Sequence, residues 1–137
     1  MKILIDCDVL LDVALGREPH YDASAQLLDW AEQHPGKAAV AWHTLATLFY
    51  LMDGKTTGFI EELTEFVDVP ATGSDALRFA LSLGFKDFED AMQVAAADAH
   101  MAQNVVTRNL KHYRKSPIKA LRPAEFLALA ESFQRST

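Results

Sequence analysis

The sequence lacks the features that mark secreted, membrane-spanning or zinc-binding proteins. It has one cysteine, Cys7, so no disulfide can form within the chain, and its place in an apolar run indicates a small buried side chain. No apolar run approaches the roughly 20 residues that cross a bilayer, and Asp6 interrupts the first run too early for a signal peptide. The five histidines are scattered without zinc-site spacing. We therefore expect a cytoplasmic protein with no membrane segment.

Several catalytic patterns are also missing. The six glycines are dispersed, so there is no glycine-rich phosphate loop, and no Ser-His-Asp or Cys-His pattern occurs.

Acids are absent from residues 99–124, although six of the 13 lysines and arginines lie there and the net charge is −6. This asymmetry indicates either a basic rim beside an acidic pocket or a solvated basic face, and charge alone slightly favours the solvated face.

The remaining sequence alternates strand-like and helix-like segments. Half of the 137 residues are hydrophobic, which is enough for one domain with a sizeable core. Short apolar strands are predicted at 2–7, 37–42, 67–70 and 104–108, with an extended piece between Pro117 and Pro123. Helices are predicted at 22–34, 43–52, 57–66, 74–83, 87–101 and 122–133. The pattern predicts a single α/β domain over residues 1–137, a three-layer α/β/α sandwich around a mostly parallel sheet.

Acidic and amide side chains fall where such a sheet binds ligands, beyond the carboxyl ends of its strands. Asp6 ends the first strand and Asp8 follows in a turn, while Asn109 follows the last of the apolar strands. Asp87 and Asp90 are three residues apart at the start of an alanine-rich helix and share one face. Clustered carboxylates repel one another unless a cation compensates. Their hard oxygens suit Mg²⁺ or Mn²⁺.

Each acid also has a purely structural interpretation. Asp87 and Asp90 are equally well explained as acids that favour a helix N-terminus. Asp8 fits a turn residue, and Asp12 is better explained as a solvated acid of a helix. Asp6 is harder to explain in this way, because a carboxylate at the end of a buried strand is costly without a partner.

Three segments together resemble the PIN-domain superfamily, which contains the VapC-type toxin ribonucleases. They are "ILIDCDVLLDVALGREPHYDASAQLLDWAE", "FKDFEDAMQVAAA" and "VVTRNLKHYRKSPIKALRPAEFL", and the match runs from residue 2 to about residue 127. The resemblance implies an α/β/α sandwich with acids clustered around Mg²⁺ or Mn²⁺, and cleavage of RNA. It also implies a cognate antitoxin and a homodimer as possible partners.

The resemblance assigns the acids of the site residue by residue. Asp6 matches the first-strand acid of the family, and Asp90 matches the acid at the start of the alanine-rich helix. These two are the expected main metal ligands, with Asp87 and Asp8 in support. Asp8 stands where the family motif usually has Asn.

Two positions depart from the family pattern. Thr47 stands where most catalytic members carry Glu, and Asn109 replaces the acid of the usual "TRD" ending. A neutral amide offers an oxygen but no charge to a cation. We expect Thr47 and Asn109 to position water, so that Asn109 joins Asp6, Asp87 and Asp90 in the catalytic set.

Substrate contacts are expected from cationic residues near these acids. Arg108, Lys111 and Arg17 are predicted to contact RNA phosphates, which supply most non-specific affinity. Tyr113 is predicted either to stack on a base or to be a core aromatic, and Lys111 fits a solvated helix face equally well.

Two other functions remain open at this point. The first is a PIN fold that has lost catalysis and binds RNA or a protein, as Thr47 and Asn109 suggest. The second, weaker one is a haloacid-dehalogenase-like phosphatase, because Asp6-Cys7-Asp8 resembles its DxD motif. Leu10 stands where that motif wants Thr or Val, and the chain is short for that fold.

Overall fold

The computed structural model describes residues 1–53 and 57–136, which form five strands and seven α-helices. The strands are β1 (Ile3–Ile5), β2 (Ala38–Ala39), β3 (Val67–Asp68), β4 (Asn104–Val106) and β5 (Lys119–Leu121). The helices are α1 (Cys7–Leu15), α2 (Tyr21–Gln33), α3 (Trp42–Leu51), α4 (Thr57–Leu63), α5 (Ser74–Ser82), α6 (Phe88–Ala99) and α7 (Pro123–Arg135). A 3₁₀ helix spans Leu110–Tyr113. No helix of these ranges is long and apolar enough to cross a membrane.

The strands form one parallel sheet in the order β3-β2-β1-β4-β5. In the central strand, Ile3 pairs with Ala38 on one side and with Asn104 on the other. The prediction of a three-layer α/β/α sandwich is confirmed, and every strand pair among the described residues is parallel.

The two faces of the sheet carry separate apolar layers, because successive side chains of a strand point in opposite directions. Ile3 and Ile5 pack with side chains of α1, α2 and α7, including Leu27 and Phe126. Leu4 packs on the opposite face with α6, whose alanines allow close approach to the sheet. Helix α5 in turn packs against α6.

Helix α1 was given no bounds in the sequence analysis, although Asp12 was interpreted there as an acid of a helix. The strand predicted at 2–7 ends at Ile5, and Cys7 begins a helix instead of lying in a strand, although it is buried. The cause is Asp6, which has an extended backbone and accepts a hydrogen bond from the Cys7 N–H at 2.7 Å as the helix N-cap. Gly16, with φ of +62°, ends the helix.

The topology places a binding crevice between β1 and β4. The chain runs outward from β1 through β2 to β3, then returns to β4 on the other side of β1. Ligands bind at such a reversal of strand order, beyond the carboxyl ends of the strands. Asp6 follows β1 and Thr107 follows β4, so both lie at this edge.

The single domain over residues 1–137 stays a prediction, and residues 54–56 and 137 lie outside the described part.

Candidate functional site

Asp6 is the most completely hydrogen-bonded side chain of the crevice. Its Oδ1 accepts from the Cys7 N–H at 2.7 Å and from Gln93 Nε2 at 3.1 Å. Its Oδ2 accepts from the Thr107 hydroxyl and from the Tyr113 hydroxyl, both at 2.9 Å. Only 7% of the residue is exposed. These donors stabilise the carboxylate where an unpaired one would be very costly.

Tyr113 connects Asp6 to Asp90. Its hydroxyl oxygen lies 3.3 Å from Asp90 Oδ1 as well as 2.9 Å from Asp6 Oδ2. The residue is 3% exposed, and burial, followed by the Asp6 charge, raises the pKa of its phenol. Base stacking by Tyr113 was therefore a wrong prediction, and the alternative of a core aromatic is confirmed.

Asp90 forms a second cluster with Asp87 and His112. One ligand atom from each of the three side chains lies within 4.8 Å of the others, and His112 Nδ1 is 3.1 Å from Asp90 Oδ2. Asp87 is the exposed N-cap of α6 and accepts a hydrogen bond from the Glu89 N–H at 2.9 Å. His112 was missed in the sequence analysis, because no regular spacing in the sequence connects it to the acids.

Asp8 lies in the first turn of α1 rather than in a turn between elements. Its Oδ2 accepts from the Arg108 backbone N–H at 3.0 Å and lies 3.3 Å from the Thr107 hydroxyl. Its Oδ1 is buried without a hydrogen-bond partner among the described residues. Burial, and next the charge of Asp6, raise the pKa of Asp8 to about 6.

The electrostatics of the crevice show an excess of negative charge. Burial, and next the charges of Asp87 and Asp6, raise the pKa of Asp90 to about 6. Burial and the same Asp6 charge raise the pKa of the Cys7 thiol to about 12. Burial and mutual repulsion thus both disfavour the ionised forms of Asp8 and Asp90, and a cation beside them would have the opposite effect.

Asp12 is fully buried, which corrects the interpretation as a solvated acid. Arg108 donates to both of its oxygens, from Nε at 2.7 Å and Nη2 at 3.1 Å, and Arg17 Nε donates at 3.1 Å. The Ser24 hydroxyl donates to Oδ2 at 3.1 Å. Arg17 and Arg108, predicted to contact RNA phosphates, are thus both held by a buried carboxylate. The apolar neighbours of Asp12 in the sequence gave no signal of this network.

The two positions that depart from the family pattern do not enter the hydrogen bonds of the acids. The Thr47 hydroxyl donates to the His43 carbonyl one turn earlier, at 3.3 Å. Thr44 of the same helix is linked to Asp6 through Gln93. The Gln93 Nε2 donates to the Thr44 hydroxyl at 2.8 Å and also to the Asp6 carboxylate. The Asn109 residue is exposed, and its backbone N–H donates to the Thr107 hydroxyl.

The family of the chain follows from its sequence over the same elements. Residues 2–111, which run from β1 into the 3₁₀ helix, match the PIN domain family. The chain belongs to that family. PIN domains are generally nucleases and typically use divalent metals.

Solved structures share the fold of this PIN domain at low sequence identity. A toxin-antitoxin complex from Klebsiella pneumoniae has a TM-score of 0.67 at 21% identity, covering 89% of this chain and 98% of that chain. VapBC2 from Rickettsia felis, bound to a promoter DNA fragment, has a TM-score of 0.67 at 14% identity with coverages of 89% and 98%. PAE2754 from Pyrobaculum aerophilum has a TM-score of 0.61 at 17% identity and covers 96% of both chains. These identities establish the fold alone. No curated protein is similar enough to count as a match.

A groove opens beside the acids of this PIN domain. It has a volume of about 500 Å³, and Asp87, Asp90 and His112 form part of its wall. The other lining residues are an aromatic side chain and four cationic ones, Phe85, Lys86, Lys111, Arg114 and Lys115. Lys111 is therefore the one predicted phosphate contact that lies at the groove. Three of the six cationic residues of 99–124 line it, namely Lys111, Arg114 and Lys115.

The residues at the crevice fit a divalent cation by their chemistry. Carboxylate oxygens of Asp87 and Asp90 are hard ligands that suit Mg²⁺ or Mn²⁺, and the His112 imidazole adds a nitrogen that transition metals bind more readily than Mg²⁺. The buried Oδ1 of Asp8 has no partner among the described residues and is a further unsatisfied acceptor. The donor set therefore favours Mn²⁺ slightly over Mg²⁺.

Proposed function

We propose that this PIN domain is a divalent-cation-dependent ribonuclease that hydrolyses RNA phosphodiester bonds. Asp6 and Asp90 are the main ligands of Mg²⁺ or Mn²⁺ in this proposal, with Asp87 and Asp8 in support. Asn109 completes the catalytic set by orienting water with its exposed amide.

One observation carries the proposal: carboxylates from two distant parts of the chain meet at the switch point of the sheet, beside a cationic groove. Asp6 comes from the end of β1 and Asp90 from the first turn of α6, and one hydroxyl lies within 3.3 Å of both. Neither acid is an ordinary solvated surface charge, since the exposure of Asp6 is 7% and that of the Asp90 side chain is 13%.

The cation and the protein supply different parts of the chemistry. A bound Mg²⁺ or Mn²⁺ supplies charge neutralisation for a phosphodiester and lowers the pKa of water. The residues of the chain hold the substrate: Lys86, Lys111, Arg114 and Lys115 line the groove and attract successive phosphates. Arg17 and Arg108 contribute long-range positive charge, because their guanidinium groups are engaged by Asp12.

A calorimetric Mn²⁺ titration tests the cation part of this proposal. We expect the wild type to bind Mn²⁺ and the Asp6→Asn, Asp90→Asn double variant to lose binding, because two carboxylates are removed without changing shape. Asp29→Asn, which changes an exposed acid of α2, is the matched control and retains wild-type affinity.

An RNA cleavage assay tests the catalytic part. We expect cleavage to require Mn²⁺ and to be lost in the double variant. Cleavage of equal rate in the wild type and the double variant would contradict the proposal.

A second function is favoured by the residues that replace the usual acids. Thr47 and Asn109 carry no charge, so the cation site has fewer carboxylates than the family pattern provides. A PIN fold that binds RNA or a protein without cleaving it is the corresponding alternative. It predicts RNA binding that is unchanged by removal of divalent cations and by Asp90→Asn. The chain belongs to the PIN domain family, so the resemblance of Asp6-Cys7-Asp8 to a phosphatase motif no longer supports the phosphatase alternative.

We also propose an antitoxin-like protein partner. One similar structure is a toxin-antitoxin complex, and this chain exposes a group of large apolar side chains on two helices. They are Trp42, Phe49, Tyr50 and Leu51 of α3 and Leu77 and Leu81 of α5. Trp42 and Leu77 line one groove, so α3 and α5 contribute to a shared apolar surface. Such a surface marks an interaction site.

The mass of the isolated protein in solution tests which partner covers this surface. A monomer that binds the product of a neighbouring reading frame, and loses that binding in Trp42→Asp, supports the antitoxin. A dimer that Trp42→Asp dissociates assigns the surface to a second copy of the chain instead. Leu129→Asp, an exposed apolar residue of α7, is the matched control.

A further inference from the structure

The hydrogen bonds of Asp6 leave no room for a cation in the arrangement that the structure shows. A carboxylate offers about four lone-pair sites. Two donors bind each oxygen of Asp6: Cys7 N–H and Gln93 at Oδ1, and Thr107 and Tyr113 at Oδ2. A cation that binds Asp6 must therefore displace one of these donors.

Tyr113 is the donor that stands where the cation is needed. Its hydroxyl oxygen is 2.9 Å from Asp6 Oδ2 and 3.3 Å from Asp90 Oδ1, so it fills the space between the two carboxylates. A phenol has a single proton and can donate it to only one of them at a time. The hydroxyl thus joins the two acids but compensates their charge poorly.

The other three donors are fixed by the fold. The Cys7 N–H is the capped end of α1, and Gln93 is buried with a second bond to Thr44. Thr107 follows β4 directly and also accepts a bond from the Asn109 N–H. Tyr113 ends a single 3₁₀ turn, and the next residues, Arg114 and Lys115, are exposed at the groove. Of the four donors to Asp6, its hydroxyl is the one that also contacts Asp90, so a cation shared by the two carboxylates takes its place.

We propose that Tyr113 sets the cation affinity of this site: its hydroxyl holds Asp6 and Asp90 together without a cation, and Mg²⁺ or Mn²⁺ binds by displacing it. The inference rests on the proposed function, since it takes Asp6 and Asp90 as the ligands. Tyr113 is a positioning residue in this scheme and is not a ligand. Because the competing bond is lost in Tyr113→Phe, that variant binds the cation more tightly than the wild type does.

Calorimetric Mn²⁺ titrations of the wild type, Tyr113→Phe and Tyr21→Phe test the inference. We expect Tyr113→Phe to bind roughly tenfold more tightly, as loss of a hydrogen bond to a charged group allows. Tyr21→Phe removes a part-buried phenol at the start of α2 and leaves the affinity unchanged. Equal or weaker binding by Tyr113→Phe overturns the inference, while the wild-type titration alone still supports the proposed function. Absence of binding in all three proteins overturns the cation site together with the inference.

A spectroscopic measurement on the wild-type residue covers the case in which Tyr113→Phe does not fold. The chain has three tyrosines, so the Tyr21→Phe, Tyr50→Phe variant retains Tyr113 alone. Mg²⁺, which does not absorb in the near ultraviolet, is titrated while the tyrosine band and the heat of binding are recorded. We expect the band to shift to shorter wavelength in proportion to bound Mg²⁺, because the phenol loses a carboxylate acceptor. Mg²⁺ binding without a shift shows that Tyr113 stays in place and overturns the inference.

Discussion

At the scale of single residues, the acids at the crevice are held at a cost that the protein alone does not offset. Asp8 has one oxygen without a partner among the described residues, and burial with the nearby Asp6 raises its pKa to about 6. A folded-state pKa above the ordinary 3.8 means that the fold prefers the protonated acid. The charged form therefore destabilises the fold, and this penalty is fully present above pH 6 and disappears as the pH falls from 6 towards 3.8.

Asp8→Asn tests this penalty. In the absence of divalent cations, we expect the variant to raise the free energy of unfolding by about 1 to 3 kcal/mol at pH 7.5, since about two pKa units correspond to that order of magnitude. The gain shrinks as the pH falls and has almost vanished near pH ~3, where the wild-type acid is largely protonated in both states. Urea unfolding at both pH values measures it, with Asp29→Asn as the exposed control. A gain in the free energy of unfolding that is independent of pH contradicts the raised pKa of Asp8.

At the scale of elements, a buried ion pair network attaches α1 to the end of β4. Asp12 of α1 binds Arg108, which follows β4, and also Arg17 beyond the end of the same helix. Both arginines also contact Asp8. The Arg108 backbone N–H donates to the Asp8 carboxylate, and Arg17 Nη2 donates to the Asp8 backbone carbonyl at 3.2 Å. The network thus fixes the separation of the two chain segments that carry Asp6, Asp8 and Thr107.

Asp12→Asn is expected to destabilise the protein strongly, by about 3 to 5 kcal/mol, because it leaves two part-buried guanidinium groups without their anion. The Asp75–Arg78 pair of α5 is the matched comparison, since both of its side chains are largely exposed. Asp75→Asn should leave the unfolding transition almost unchanged, because solvent screens an exposed ion pair. Thermal and urea unfolding of the two variants measure the difference. Equal, small effects would show that the buried network contributes nothing to stability.

At the scale of the whole molecule, the charge is separated along the sequence and brought together in space. The chain carries a net charge of −6, yet the acid-free residues 99–124 place Lys111, Arg114 and Lys115 around the groove beside Asp87 and Asp90. In the proposed function this rim attracts RNA phosphates and the acids hold the cation. The overall negative charge limits non-specific binding of nucleic acid elsewhere on the surface.

The salt dependence of RNA binding tests this rim. We expect the affinity for single-stranded RNA to fall steeply as the salt concentration rises. In a plot of log affinity against log salt concentration, the steepness of the slope should decrease by about 0.7 for each phosphate contact removed. The Lys111→Ala, Lys115→Ala variant should therefore lower the slope by about 1.4. Lys37→Ala is the control, because this exposed lysine precedes β2 at the opposite edge of the sheet. If Lys37→Ala lowers the slope as much as the double variant does, the phosphate contacts are not concentrated at the groove.

The sequence by itself determined the order of the elements and the position of the crevice. Apolar strands alternating with helical segments are local patterns, and the carboxyl ends of parallel strands meet at one edge by geometry alone. That geometry placed Asp6 at the crevice, whereas the resemblance to PIN domains placed Asp90 beside it, because Asp90 lies in the first turn of a helix that follows another helix. The bounds of helix α1 were not predicted, because an apolar run such as "VLLDVAL" does not distinguish a buried helix from a strand.

Only the tertiary structure decided which groups surround each acid. Tyr113 bonds to Asp6 across 107 residues of sequence, and Arg108 bonds to Asp12 across 96. Such contacts depend on how whole elements pack, so no local pattern encodes them. They changed the interpretation of Asp12 from a surface acid to a buried anchor, and they decided between the two interpretations of Tyr113 in favour of a core aromatic. They also added His112 to the site, because the 3₁₀ helix brings it beside Asp90.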